Sequence, residues 1–397
     1  MARWRYNDRT FSSGLVSQHM ERVSRMHRRD LLKSAVAAGV GVVSAGALPV
    51  EAGGGVQNRR RSTGAIDYET FDLGDFPLLS GEVLRSASLA YQTHGELSAA
   101  RDNVIVYPTW YAGRHTSNAG SIGEDLALDP SRYFIVVPDQ FGNGLSSSPS
   151  NSPAPQDRMR FPLVHPYDNV RAQHRLLTER FGIDRIKLVV GFSMSGQQTF
   201  HWGALYPDMV ERIAPICGSA KTAVHNFVFL EGVKAALTAD CAWAGGEYTS
   251  PPVAGLRAFS RVYAGWYASQ SFFREGLHDT GDGVEGFLAG AERSFGRFDA
   301  NDLLAMLATW QAADISAHPR FGGDLASALG AIRARAFVMP SRTDLYFPPE
   351  DNEIEVPQMP NAELRVIPSI RGHLAGGGGN PEDRRWVSDQ LEELLGT

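Results

Sequence analysis

The sequence predicts an α/β protein, a mostly parallel, doubly wound sheet interrupted late in the chain by a helical insertion. Three observations lead there. Short apolar runs without alternation, at residues 104–107 and 133–137, each end at a proline and have the length and composition of strands buried on both faces. These runs alternate with helical stretches, the pattern of parallel strands joined by crossover helices. Between Lys221 and about residue 329 the short runs stop, and long, aromatic-rich helical stretches take their place.

The first 52 residues stand apart from that fold. Arg28 and Arg29 are followed by Asp30, Leu31, Leu32 and Lys33, then by an uncharged run from Ser34 to Leu48 rich in Ala, Gly and Val. Positive charge, a moderately apolar segment and a small-residue exit make up a secretory signal, and the arginine pair resembles the twin-arginine export signal. Cleavage is expected near residues 45–47 or 50–52, leaving no stable membrane span and a periplasmic or secreted protein. A disordered tail or an uncut anchor is the alternative reading, and Met20 or Met26 is a candidate true start. Residues 53–65, rich in Gly and Arg, read as a linker.

Structure is expected from residue 66. Residues 86–93 alternate like a half-exposed strand, and the apolar runs 104–107 and 133–137 follow. A helix over 170–181 leads through Gly182 into a strand at 186–190, a helix at 196–206 and a strand at 212–216. The helical insertion over 221–329 is read as a lid. Strands resume at 336–339 and 363–367, and an amphipathic helix over 382–395 closes the chain. The core is thus expected in two pieces, 66–220 and 330–397.

The 397 residues are 43% hydrophobic and 21% charged, ordinary for a globular protein with a large core. The net charge of −6 comes with basic residues that, outside the N-terminal region, are scattered among acids, which argues against a nucleic-acid partner. Cys217 and Cys241 have no Cys or His at zinc-ligand spacing around them, so no metal or other cofactor is expected. Two buried thiols are the expectation, and a single disulfide is the alternative.

The chemistry gathers around Gly191-Phe192-Ser193-Met194-Ser195-Gly196, set between a strand and a helix. In a nucleophile elbow the serine sits on a sharp turn, and its neighbours two residues away must be small so that the backbones of strand and helix can approach. Gly191 and Ser195 satisfy that requirement. The following helix points free N–H groups at the serine, where an oxyanion would develop. A serine alcohol needs a base, and the base a partner. Asp344 and His373 follow in the chain order of the α/β-hydrolase fold, each after a later strand, with Asp351 and Glu350 as alternative acids. The loop 107–113 supplies the other half of an oxyanion hole, where the N–H of Trp110 would pair with that of Met194. The side chains of Trp110 and Tyr111 are candidates for contact with a small-molecule acyl substrate, with core packing as the equal alternative for Trp110. His115 is read as a surface histidine, with substrate binding as the alternative. In the insertion, Phe259, Tyr263, Trp266 and Tyr267 share a helical face, and Trp243, Phe272 and Phe273 add ring surface. Such a stripe packs lid helices together or forms a homodimer seam.

From about Tyr91 to the C terminus the chain resembles the homoserine O-acetyltransferase branch of the α/β-hydrolase superfamily. The resemblance rests on the stretch 161–173 ending in Gln173, on 191–197 ending in Gln197, on Tyr206-Pro207-Asp208, on Gly246-Glu247-Tyr248 with Pro252 and Gly255-Leu256, on 298–301, and on 344–350. It implies the α/β-hydrolase fold, the helical lid and the triad Ser193, Asp344 and His373. It also marks departures. Homoserine-acetylating members carry Gly-His-Asp, whose Asp is expected to hold the substrate ammonium, whereas this chain has Gly372-His373-Leu374. Lys221 falls near the position of the family's carboxylate-binding arginine. The expected activity is therefore hydrolysis of an ester or related acyl compound through an acyl-enzyme on Ser193. The alternative is acyl transfer to an alcohol other than homoserine, and a non-catalytic binding protein is a third reading.

Overall fold

The computed structural model describes residues 68–396, so the predicted export signal at 1–52 and linker at 53–65 lie outside the described residues. Eight strands form one sheet: β1 (Glu69–Pro77), β2 (Val83–His94), β3 (Val104–Val106), β4 (Phe134–Pro138), β5 (Leu188–Phe192), β6 (Arg212–Ile216), β7 (Arg335–Val338) and β8 (Ala362–Leu364). Their order is β1-β2-β4-β3-β5-β6-β7-β8. β1 and β2 run antiparallel, β2 joins β4 antiparallel, and every pairing from β4 through β8 is parallel. The fold is the α/β-hydrolase fold.

Helices of ten residues or more are α1 (Pro166–Arg175), α2 (Met194–Leu205), α3 (Val224–Thr238), α4 (Val253–Tyr267), α5 (Gly283–Phe295), α6 (Ala300–Gln311) and α7 (Pro381–Leu395). Helices α3 to α6 fall between β6 and β7, the stretch read as a lid. No helix among the described residues is long and apolar enough to cross a membrane.

Burial on both faces explains the unbroken apolar runs. Val104, Val106 and Val189 join the core on one face, and Ile105, Leu188 and Val190 join the core on the other. A third cluster is aromatic and ties the insertion to the strand ends: Tyr111, Phe259, Tyr263, Phe295, Trp310 and Tyr346 all belong to it. The chain reverses its winding between β3 and β5, and the crevice outside the carboxyl ends of those two strands is where ligands bind in open α/β sheets. The loop after β3 and Ser193 after β5 both emerge there.

Several expectations shift. The strand read at 186–190 lies at Leu188–Phe192, and Ile186 makes only an isolated bridge to Val210. Ser193 therefore follows the strand with no linking residue. Strand β1 was not anticipated, because it is an edge strand that buries only Leu73 and Phe76, and so carries no apolar run. Both cysteines are free thiols, but Cys241 is exposed, which corrects the expectation of two buried ones. Cys241 opens a short turn on the insertion, where no core reaches it.

The chain leaves β6 for the insertion through Ala220, whose N–H donates to the carboxylate of Glu355 at 2.8 Å. Glu355 also accepts from Asn352 Nδ2 at 2.8 Å, and burial pushes its carboxyl from 4.5 up to about 8. With the folded pKa raised, the stability this group contributes is complete below about 4.5 and is lost as pH rises through about 8. Glu355→Gln should remove that dependence. Urea unfolding across this window should show the variant gaining on the parent as pH rises, and parallel curves would show that Glu355 does not titrate there.

Candidate active site

Ser193 caps α2 with φ 61° and ψ −127°, a region in which a residue with a side chain is strained. Close approach of the flanking backbones holds it there. A Cβ on Gly191 would stand 2.1 Å from the carbonyl oxygen of Ser195, and one on Gly218, just beyond β6, 3.0 Å from the Cα of Gly196. Ser193 N–H donates to the Ile216 carbonyl at 2.9 Å, and the Ser195 hydroxyl donates to the Phe192 carbonyl at 2.9 Å. A Cβ on Gly196 would in turn stand 3.1 Å from the Ile216 carbonyl oxygen, so the glycines at 191, 196 and 218 have a steric cause.

His373 lies in the short turn Gly372–Gly377, and Asp344 follows β7. The structure brings them to Ser193. His373 Nε2 is 2.8 Å from Ser193 Oγ, and Nδ1 is 2.7 Å from Asp344 Oδ2. The other carboxylate oxygen of Asp344 accepts from the N–H groups of Tyr346, at 2.8 Å, and Phe347, at 3.2 Å. An ionised carboxylate held this way fixes the proton of His373 on Nδ1 and leaves Nε2 to accept from the serine. Phe192 and Tyr346 stand on the imidazole with ring centroids 4.6 Å away, so the ring is gripped as well as bonded. The Thr343 hydroxyl donates to the Ser369 carbonyl and accepts from the Gly372 N–H, both at 3.1 Å, which ties the acid loop to the histidine loop. Glu350 and Asp351, the alternative acids, sit on the following helix Pro349–Glu355 and do not bond His373.

The backbone N–H groups of Met194 and Trp110 make no hydrogen bond within the protein among the described residues. Met194 opens α2, so its N–H is one of the orphan donors of a helix start. The Trp110 ring packs edge-on against Phe192 at 5.2 Å. Tyr111 is buried, donates its hydroxyl to the Leu303 carbonyl at 3.2 Å and stacks on Tyr263, so it joins the loop to the insertion and has no free polar end. Leu374, beside His373, is 36% exposed. Lys221 is half-exposed and paired with Asp314 at 2.8 Å.

His115 is buried, not on the surface as expected, with Nδ1 2.7 Å from Asp139 Oδ2. It packs there because Asp139, at the end of β4, also takes the His115 N–H at 2.8 Å and so captures the end of the loop after β3. Cys217 is buried as expected, and its place is not legible in sequence: its sulfur lies within 4.8 Å of donor atoms of both Asp344 and His373. Those three side chains are the one group of metal-ligand type among the described residues. Burial first, and then the Asp344 charge, push the Cys217 thiol well above its usual range, which favours the neutral S–H. A lone cysteine after a strand gives no signal of this in sequence.

The geometry can activate an alcohol at Ser193. A profile of the family described as alpha/beta hydrolase fold matches residues 103–373. The chain belongs to the α/β-hydrolase family. It is 42% identical over 338 residues to an ethyl acetate hydrolase of Pseudomonas veronii, covering 83% of this chain and 95% of that one. The crystal structure of the acetyl esterase MekB superposes with a TM-score of 0.81 at 40% identity, covering 83% of this chain and 97% of that chain. A homoserine O-acetyltransferase of Chlorobium chlorochromatii is 31% identical over 313 residues, covering 74% of this chain and 87% of that protein. This α/β hydrolase is therefore an enzyme of the branch that holds both ester hydrolases and homoserine O-acetyltransferases, and it is more similar to those two esterases than to that acetyltransferase.

The elbow's packing has a direct consequence. Gly191→Ala would drive a methyl group into the backbone carbonyl of Ser195 and the side-chain hydroxyl of Thr199, 2.1 and 2.7 Å away. A destabilisation of about 3 kcal/mol or more is expected. Urea midpoints test it, and an unchanged midpoint would show that strand and helix can separate without cost.

Proposed function

We propose that this protein hydrolyses neutral carboxylic esters through an acyl-enzyme on Ser193. The carrying observation is the bonded relay from Ser193 Oγ to His373 to Asp344, at 2.8 and 2.7 Å, on a strained turn at the ligand crevice. Ser193 Oγ attacks the ester carbonyl while its proton passes to His373 Nε2. The carbonyl oxygen becomes an oxyanion facing the N–H groups of Met194 and Trp110. Collapse breaks the bond to the alcohol, which leaves with the proton from His373. Water then repeats the sequence, giving its proton to Nε2, and the acid departs as the proton returns to Ser193. Asp344 holds the imidazolium throughout.

Leu374 separates hydrolysis from homoserine acetylation. An ammonium group brought beside His373 would lose water against an apolar side chain, and an unpaired charge is costly to desolvate. Neutral substrates suffer no such loss. The similarity to an ethyl acetate hydrolase supports the same class. Acyl transfer to another alcohol shares the first half of the reaction and differs only in what reaches the acyl-enzyme.

Ser193→Ala should abolish labelling by an organophosphonate and lower ester turnover by a factor on the order of 10⁴ or more, in a folded protein. His373→Ala should cost about as much, and Asp344→Asn somewhat less. Labelling that survives Ser193→Ala would remove the serine from the mechanism. In the parent enzyme, homoserine acetylation from acetyl-CoA outpacing hydrolysis of every neutral ester would overturn the choice of reaction.

We also infer export, because Arg28-Arg29 precedes an uncharged segment of signal type and acetyl-CoA is an intracellular cosubstrate that a hydrolase does not need. The exposed Val224, Phe227 and Val228 on α3 support pairing of two copies through the insertion. Replacing Arg28 and Arg29 with Lys should strand the precursor in the cytoplasm, and light scattering on the exported protein should give twice the chain mass. Unchanged export, or a monomer, would refute the respective reading.

A further inference from the structure

A buried chain of side-chain amides ends on the loop that carries Trp110. The indole Nε1–H of Trp202, on α2, donates to Gln173 Oε1 at 2.8 Å. Gln173 Nε2, on α1, donates to Gln198 Oε1 at 2.6 Å, and Gln198 Nε2 donates to the carbonyl of Thr109 at 3.1 Å. All four residues are at most 1% exposed. The polarity of the chain is forced by its ends. An indole N–H can only donate and a backbone carbonyl can only accept, so each amide between them has one possible orientation.

The Thr109 carbonyl and the Trp110 N–H belong to one peptide plane, with the two groups pointing in opposite directions. Anchoring the carbonyl aims the N–H. The next peptide is held as well, since Gln140 Nε2 donates to the Trp110 carbonyl at 2.7 Å. The Trp110 N–H itself is left without a protein acceptor among the described residues. A peptide whose carbonyl accepts from an aligned chain of donors is polarised, which makes its N–H a stronger donor.

We propose that Gln198, backed by Gln173 and Trp202, is a positioning residue that aims and polarises the Trp110 N–H toward the oxyanion formed at Ser193. Gln198 lies on α2, the helix that begins at Met194, so one helix presents one donor directly and sets the other through its own side chain. The relay thus locks both halves of the hole to the same rigid element. This rests on the reading of Ser193 as nucleophile.

An aryl trifluoromethyl ketone tests it. The ketone carbonyl carbon bonds to Ser193 Oγ, the serine proton moves to His373 Nε2, and the carbonyl oxygen becomes an anion in the hole. Gln198→Leu keeps the volume and removes the donor. It should lower kcat by about tenfold or more with KM within about twofold, and weaken ketone inhibition by the same factor, since losing an oxyanion donor outright costs ~10²–10³. Gln173→Leu, one bond further back, should lower kcat less even where it lowers Tm as much. Gln198→Glu keeps shape and fold; its protonated acid can donate to Thr109 and its carboxylate cannot, so its activity relative to the parent should recover as pH falls. A folded Gln198→Leu with kcat within twofold of the parent, or a kcat loss without weaker ketone inhibition, would overturn the proposal. So would losses that simply follow Tm across the variants. Ser193→Ala distinguishes the two failures: ketone inhibition of residual turnover that persists there indicts the nucleophile, whereas its loss there with an unaffected Gln198→Leu indicts the relay alone.

Discussion

The turn at Ser193 is the constraint around which the rest is built. Its positive φ is disfavoured for a residue with a side chain, and it persists because β5 and α2 are packed too closely for any other path. Gly191 and Gly196 permit that approach, and the bonds from Ser193 N–H to Ile216 and from Ser195 to Phe192 close it. The strain is held by the folding free energy of the whole sheet, so the serine is presented without any rearrangement when substrate arrives.

Three loops must then meet that turn. The acid loop and the histidine loop are joined through Thr343, and each is anchored in turn to a parallel strand at its carboxyl end. The loop after β3 is held differently, by carboxamides. Asn118 bonds the carbonyls of Tyr107 and Pro108, Gln198 that of Thr109, Gln140 that of Trp110 and Asn143 that of Gly113. A loop with no secondary structure of its own needs partners for its buried carbonyls. Here those partners also decide where its N–H groups point.

The insertion enters the same network through aromatic contact. Tyr111 stacks on Tyr263 and bonds Leu303, while Tyr346 stands between Tyr263 and the His373 ring. The ring stripe legible on α4 is therefore core packing, and its Tyr263 backs the Tyr346 ring that walls the histidine. The segment before Gln270 also backs the histidine loop, since a Cβ on Gly372 would stand 2.7 Å from Ser269 N. Movement of the insertion would be felt at the base.

By itself the sequence determined the α/β class, the elbow and the order Ser193, Asp344, His373, because each rests on local rules: apolar runs for buried strands, small residues where backbones cross, polar residues at strand ends. It missed β1, whose single buried face leaves too little pattern, and it displaced β5 by two residues, because apolar runs mark burial and not hydrogen bonding. It also assigned His115 to the surface. Only the tertiary structure decided that His115 is clasped by Asp139, that Cys217 lies behind the triad and that Gln198 faces Thr109. A glutamine at a helix position reads as solvent-facing, since polar side chains are seldom buried. Whether it is buried depends on partners far away in the chain, 89 residues for Gln198 and Thr109, and no local rule carries that distance.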